Sequence, residues 1–233
     1  MAAGGVCGLY NGLLITGLRL PPFIATLGTL GFFRGAAKWL ADSGPVSASP
    51  GWLADWVQQV PARPWMVVAP AVWLLGGLAL LTSGLLHWTV FGRRLTAMGS
   101  NEEAARRAGI PIRRTKVFVY ITGGMFVGLA GAMYFARLTQ GDPVAAPGLE
   151  LDVIAAVVIG GASLSGGSGS VAGACAGAVL MAFLRNRCTV LGWPNYVQEI
   201  AVGHIIIAAV ALDRWRRMRG RHERGLAGAD RGE

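Results

Sequence analysis

A compact run of charged side chains lies at residues 91–116, between two apolar stretches. Its cations are Arg93, Arg94, Arg106, Arg107, Arg113, Arg114 and Lys116. Only two acids in the run, Glu102 and Glu103, oppose them. Charged groups of both signs at close spacing form directed ion pairs with another protein and fix its orientation. The charges of this run therefore indicate that it binds a partner protein.

Inside this run, the sequence NEEAARRAG predicts a short helix with its own start and stop. Asn101 is a favoured N-cap, and Gly109 ends the helix just before Pro111. The two acids fall in the first turn and two arginines in the last, as the helix dipole favours. Its alanines are small enough to seat closely in a cleft. We expect a helix presented to a partner; the alternative is a solvated loop without one.

No other motif indicates catalysis or a bound metal or nucleotide. Cys7, Cys175 and Cys188 show no CxxC spacing and are expected to be small packing residues. Residues 161–168 approach the phosphate-binding pattern GxxxxGK[ST], but Gly167 stands where the lysine must be. The motifs of membrane-embedded proteases and hydrolases are absent from the sequence. The sequence predicts a protein that is not an enzyme and that binds no cofactor itself.

Composition indicates an integral membrane protein. The chain is 53% apolar and only 14% charged, with a mean hydropathy of +0.50, whereas soluble domains carry about 25% charged residues. Fourteen of its 21 lysines and arginines lie in the run 91–116 and in the tail after Asp213. Both places flank apolar segments, so the positive-inside rule explains the net charge of +9 better than nucleic-acid binding does.

We predict an all-α polytopic membrane protein with six or seven transmembrane or re-entrant helices. The apolar segments are residues 2–18, 22–40, 65–88, 117–136, 151–164, 171–184 and 197–212. The fifth has only 14 residues, against about 20 for a span, so it either crosses or re-enters. One transmembrane domain, residues 1–218, is predicted, followed by a basic, disordered cytoplasmic tail, 219–233.

Orientation follows from placing the basic run in the cytoplasm. The acid-bearing segments 41–64 and 137–152 then lie outside, and the arginine-rich tail lies inside. Arg185 and Arg187 fall outside, against the rule. The N-terminus also falls outside, which suggests that one or more preceding spans are absent.

Glycines recur at intervals of four in three places. These are Gly8 and Gly12; Gly124 and Gly128; and Gly169, Gly173 and Gly177. Such spacing leaves one helix face as bare backbone, and we expect these faces to support close helix packing in lipid. The glycine-dense stretch 160–177 is expected to be a turn between two short spans, with a helix break in a translocation path as the alternative.

Polar residues inside the apolar segments are costly and are candidates for function. Arg34 is expected to line the interior or to pair with Asp42, and Lys38 to reach the outer interface. His204 is expected to hydrogen-bond a neighbouring helix. Asp152 is expected to cap the helix that begins near it.

Three blocks in order carry a resemblance to a known family: PPFIATLGTLGFFRG, VFGRRLTAMGSNEEAARRAGI and ELDVIAAVVIGGASLSGGSGSVAGACAGAVL. Over about residues 4–212 the chain resembles the membrane subunits of bacterial ABC importers of the branched-chain amino acid/ribose type. Within that family it is most similar to permeases for ribose, xylose and similar monosaccharides. Family members are longer, so the resemblance implies that the N-terminal spans are missing here.

The resemblance implies a multi-pass permease of the bacterial inner membrane that imports a monosaccharide. Its partners would be a cytoplasmic ATPase that uses the ATP, a second permease chain and an extracytoplasmic sugar-binding protein. The helix that docks on the ATPase would comprise Gly99, Asn101, Glu102, Glu103, Ala104, Ala105, Arg106, Gly109 and Ile110. The alternatives are a non-functional truncated permease and a self-contained secondary transporter, which would need acids within its apolar core.

Overall fold

The computed structural model describes residues 1–49, 51, 53, 57, 69–164, 166–194, 196–208, 210 and 211. Helices dominate this part of the chain: α1 Ala2–Gly17, α2 Pro22–Leu40, α3 Pro70–Trp88, α4 Val90–Ser100, α5 Glu102–Arg107, α6 Ile112–Leu138, α7 Leu149–Ile159, α8 Val171–Val190 and α9 Tyr196–Ala208. Among the described residues, two helices, α3 and α6, are long and apolar enough to cross a membrane. The predicted tail, 219–233, lies outside the described residues.

Helices α1 and α6 run antiparallel and touch backbone to backbone. A Cβ added to Gly8 would overlap the carbonyl oxygen of Tyr120, and one added to Gly124 would overlap that of Gly4. A Cβ on Gly12 would lie 3.0 Å from the Cα of Val117. Only glycine allows this approach, in which dispersion contacts replace side-chain packing. The two helices form one closely packed pair.

Helices α7 and α8 form a second closely packed pair. A Cβ on Gly177 would overlap the carbonyl oxygen of Ala156, and one on Gly173 that of Gly160. Beside this seam lies the buried apolar cluster, which α9 joins through Val202; its other members are Ala155, Ala156 and Met181. Gly169 does not share the seam: α8 begins at Val171, and Gly169 lies before it with φ 157°.

Much of the apolar surface outside these pairs is exposed. Trp39, Leu40 and Trp88 are 80%, 77% and 85% exposed. Helix α2 meets α1 through a stack of rings, with Tyr10 and Phe32 centroids 6.0 Å apart. Exposed apolar surface on this scale would make a soluble monomer aggregate, whereas a bilayer or further helices would cover it. The fold is consistent with the all-α membrane class, while the predicted number of spans is not established.

Contacts bring the charged run 91–116 together with parts of other elements at one end of the molecule, here called the basic end. The carboxyl end of α1 lies beside the start of α6, because Gly12 packs on Val117 near the start of α6. The glycine-rich loop 160–170 lies there too, since its Gly166 and Gly167 touch the backbone of Gly99. The N-terminus of α1 therefore lies at the other end.

A short antiparallel ribbon marks that opposite end. Strand β1, Val46–Ser47, pairs with β2, Gln140–Gly141, in the register Val46↔Gly141 and Ser47↔Gln140. An all-α prediction does not include this ribbon. It ties the segment after α2 to the segment after α6, so α2 and α6 end on the same side of the fold.

Helix α7 is too short to be a span. Its 11 residues extend for about 16 Å at 1.5 Å per residue, against a hydrocarbon core of roughly 30 Å. The loop after Ile159 then continues to Gly99 at the basic end. The predicted apolar segment 151–164 is therefore a half-length helix followed by a glycine-rich loop.

Candidate docking helix and the ion pairs around it

The short helix α5 has the boundaries that its sequence predicts. Asn101 is the N-cap, and its side-chain oxygen accepts a hydrogen bond from the amide of Ala104 at 3.0 Å. Glu102 and Glu103 occupy the first turn, and the arginines occupy the last. Gly109 adopts φ 80°, a left-handed conformation that favours glycine and turns the chain toward α6. The helix is therefore fixed by local signals at both ends.

Ion pairs hold α5 in place. Glu102 accepts from Lys116 of α6 at 2.6 Å and from Arg106 at 3.3 Å, and Glu103 pairs with Arg107 at 2.6 Å. The hydrogen bond from Lys116 is the main reason why the pKa of Glu102 lies below its usual value. Because Lys116 lies beyond the helix, its contact ties α5 to the first turns of α6.

The two sides of α5 have different surroundings. Ala105 is 4% exposed and packs inward, whereas Ala104 and Ala108 lie on the exposed side. The side chains of Glu103 and Arg107 are 76% and 80% exposed. These four exposed residues, Glu103, Ala104, Arg107 and Ala108, are here called the outer face. Ala105 of the predicted docking set is therefore turned away from this face.

Gly99 does not belong to the outer face, because it packs on the glycine-rich loop before α8. It lies in the last turn of α4, and a Cβ added there would lie 2.5 Å from the amide nitrogen of Gly167. Gly166 and Gly167 have φ values of 88° and 82°, which glycine adopts readily. Gly99 thus joins the segment that leads into α5 to the loop before α8. The sequence gives no signal for this contact.

An ion pair between a buried acid and a partly exposed arginine joins α7 to α8. Arg185 donates to the Oδ2 of Asp152 at 2.6 Å, and Asp152 is 6% exposed. The expectation that Asp152 caps its helix is wrong, because the N-cap is Gly148 and Asp152 lies inside the first turn. The predicted orientation places Arg185 outside, against the positive-inside rule. The pair accounts for this arginine, since Asp152 neutralises its charge within the fold. Asp152 Oδ1 and Arg185 Nε are buried without a hydrogen-bond partner.

Comparison of the sequence with known families identifies the kind of chain that carries these elements. A family model described as the branched-chain amino acid transport system / permease component matches residues 1–210. The chain belongs to this permease family. The match covers both closely packed pairs and α5, so it extends over every element described above.

Three curated relatives show how far this permease chain extends. It is 40% identical to the ribose import permease protein of Bacillus subtilis over 206 residues, which are 88% of this chain and 63% of the relative. It is 34% identical to the autoinducer 2 import system permease protein of Klebsiella pneumoniae over 232 residues, 97% of this chain and 64% of the relative.

The third relative is the L-arabinose transport system permease protein of Escherichia coli. It is 34% identical over 206 residues, 88% of this chain and 62% of the relative. The chain thus spans a little under two thirds of the length of the curated relatives that it matches. No solved structure matches it.

Two expected contacts of other polar residues are not among those that the structure shows. His204 Nδ1 lies 2.9 Å from the carbonyl oxygen of Ile200, so among the described residues this nitrogen bonds within its own helix. The ion pairs among the described residues do not include one between Arg34 and Asp42. Within the same residues, no group of three or more His, Cys, Asp or Glu side chains is placed to hold a metal ion.

Proposed function

We propose that this chain is a membrane-embedded subunit of an ATP-binding cassette importer that moves a monosaccharide across the plasma membrane. The observation that carries the proposal is the outer face of α5, presented at the basic end of a chain of this permease family. The printed names of the relatives concern ribose, autoinducer 2 and L-arabinose. A sugar-like cargo is the chemistry that these names share.

In this proposal α5 docks in a groove of a cytoplasmic ATPase subunit. Glu103 and Arg107 lie side by side on the outer face. On the partner, a cation facing Glu103 and an acid facing Arg107 would pair with them. Ala104 between them is small and allows close approach. The basic end would be cytoplasmic, with the C-terminus, in accordance with the positive-inside rule.

The remaining partners follow from the same proposal. A second permease chain would cover the exposed apolar helices, and an extracytoplasmic sugar-binding protein would deliver cargo at the opposite end. The chain would hydrolyse no ATP and hold no cofactor. ATP-driven movement of the partner would displace α5 and change the packing of the membrane helices, a two-state switch.

Co-purification with the ATPase subunit encoded beside the gene tests the docking step. Arg107→Glu reverses a charge on the outer face, and Ala104→Trp adds bulk there. Arg137→Glu is the matched control, because it reverses an exposed arginine at the opposite end. We expect both outer-face variants to lose most of the captured ATPase and the control to keep it.

Two results would contradict the proposal. Undiminished capture by both outer-face variants would mean that α5 does not dock. Equal loss in all three variants would mean that general charge or folding, and not this face, governs capture. Uptake of radiolabelled ribose, xylose and arabinose by cells with the full importer then tests the cargo, and transport of none of them would refute the monosaccharide assignment.

A further inference from the structure

The inner side of α5 borders a cavity that the docking proposal does not use. It has a volume of about 820 Å³ and lies at the basic end, between the carboxyl end of α1, the inner side of α5 and the start of α6. Its apolar lining includes Ile15, Leu20 and Ile112. This volume is within the range of small-ligand sites.

The charges around the cavity are unbalanced. Its cations are Arg19, Arg106, Arg113, Arg114 and Lys116, and its only acid among the lining residues is Glu102. Glu102 is already engaged by Lys116 and Arg106. The ion pairs among the described residues include none to Arg19, Arg113 or Arg114. Three arginines from two segments of the chain therefore line one cavity, and none of them has a carboxylate partner among the described residues.

The position of the cavity, beside a helix that could span a bilayer, indicates which kind of anion it would bind. Arg19 follows α1, and Arg113 and Arg114 lie in the first turn of α6, a helix that is long and apolar enough to span a bilayer. Beside the cavity, Leu18 and Leu20 are 64% and 38% exposed and continue the apolar surface. Guanidinium forks match phosphate oxygens in geometry, and basic pockets between membrane helices suit anionic headgroups.

We propose that this cavity binds the headgroup phosphate of an anionic phospholipid, with its acyl chains along the apolar surface near Leu18 and Leu20. The start of α6 supports the assignment, because its N-cap, Pro111, provides no side-chain hydrogen bond to the first-turn amides. The bound lipid stabilises the side of α5 that carries Glu102 and Arg106. Under the proposed function, anionic lipid then sets the position of the docking helix.

Lipid retention by the purified full chain tests the binding without any ATPase. The chain is placed in nanodiscs of phosphatidylcholine alone or of an equimolar mixture with phosphatidylglycerol, extracted into mild detergent, and analysed by native mass spectrometry. The test variant is Arg113→Gln/Arg114→Gln. Its matched control is Arg93→Gln/Arg94→Gln, which removes the same charge from the same end but outside the cavity lining.

We expect the wild-type chain to retain phosphatidylglycerol in preference to phosphatidylcholine. The cavity variant should lose about 25-fold in apparent affinity, since each cationic side chain near an anionic surface contributes a factor of about five and the variant removes two of them. The control should lose much less, because Arg93 and Arg94 do not line the cavity. Arg19→Gln, in the segment that follows α1, should also weaken retention, so the proposal stays testable if the double variant fails to fold.

Three outcomes would overturn the proposal. Equal losses in the cavity and control variants would indicate diffuse surface charge. Equal retention of the two lipids by the wild-type chain would show that the cavity does not recognise an anionic headgroup. Displacement of bound lipid by inorganic phosphate alone would indicate a site for a free anion. None of these results depends on ATPase capture, so this proposal and the docking proposal can fail separately.

Discussion

Replacing Gly124 by alanine should separate α1 from α6. The added Cβ would overlap the carbonyl oxygen of Gly4 and lie 2.9 Å from the Cα of Gly8. Both neighbours are backbone, so a whole helix must shift. Overpacking of this kind costs about 1–3 kcal/mol. Alanine also raises helix propensity by up to about 1 kcal/mol over glycine, which works in the opposite direction.

The neighbouring residue provides a control that removes the propensity contribution. Gly123 precedes Gly124 on the same helix, and a Cβ added there would meet nothing within 4 Å. Both substitutions gain the same intrinsic preference for helix. The difference in unfolding free energy between Gly123→Ala and Gly124→Ala therefore isolates the packing cost, and we expect about 1–3 kcal/mol.

Unfolding of the purified chain in mild detergent, titrated with dodecyl sulfate and followed by circular dichroism, measures this difference. Gly123→Ala should unfold at or slightly above the wild-type midpoint, and Gly124→Ala clearly below it. If the two variants share one midpoint, the backbone contact between α1 and α6 does not contribute to stability, and the role assigned to the glycine spacing is refuted.

Three further perturbations have defined outcomes. Asn101→Ala should remove about 1 kcal/mol from α5 and speed amide exchange at residues 102–107, whereas Asn101→Ser should retain the cap; equal exchange in both would refute the capping role. Because the pKa of Glu102 is lowered on folding, the contact with Lys116 is fully present above the usual carboxyl pKa and is lost as the pH falls through the lowered value. Amide exchange of α5, corrected for its intrinsic pH dependence, should thus be flat from about pH 5 to 8 and accelerate below about pH 4, and acceleration near pH 6 would contradict this assignment. Arg185→Met should destabilise the chain by about 1–3 kcal/mol, because it leaves the buried Asp152 carboxylate unmatched while the arginine itself was partly solvated. Asp152→Leu/Arg185→Met should recover part of this loss in the same titration, and a double variant less stable than the single one would argue against the pair.

Local signals predict α5 well. Its N-cap, the order of its charges and its final glycine all lie within nine residues. They can therefore be read from the sequence without knowing which distant segments pack together. The glycine spacing predicts that a helix face is bare, but it does not say which helix packs there. Gly169 shows the limit of spacing: the hydroxyl of Ser170 accepts from the amide of Gly173 at 3.0 Å, which starts α8 after Gly169.

Contacts between distant segments could not be predicted in this way. Asp152 and Arg185 lie on different helices, and neither periodicity nor charge count indicates that they meet. The cavity beside α5 combines α1 with α6, more than 80 positions later in the chain. Its arginines were visible in the sequence, but only as part of a general excess of positive charge. The fold decides which of them share one space.

The contact between Gly99 and the loop before α8 has a mechanical consequence. Residues 99–116 touch the second closely packed pair through Gly166 and Gly167, and they touch the first through Glu102 and Lys116. A force applied to the outer face of α5 therefore acts on both pairs at the same time. The backbone contact at Gly99 leaves no soft side chain to absorb a displacement there. Under the docking proposal, we therefore expect this short segment to act as a lever that turns a push on α5 into relative movement of the two pairs.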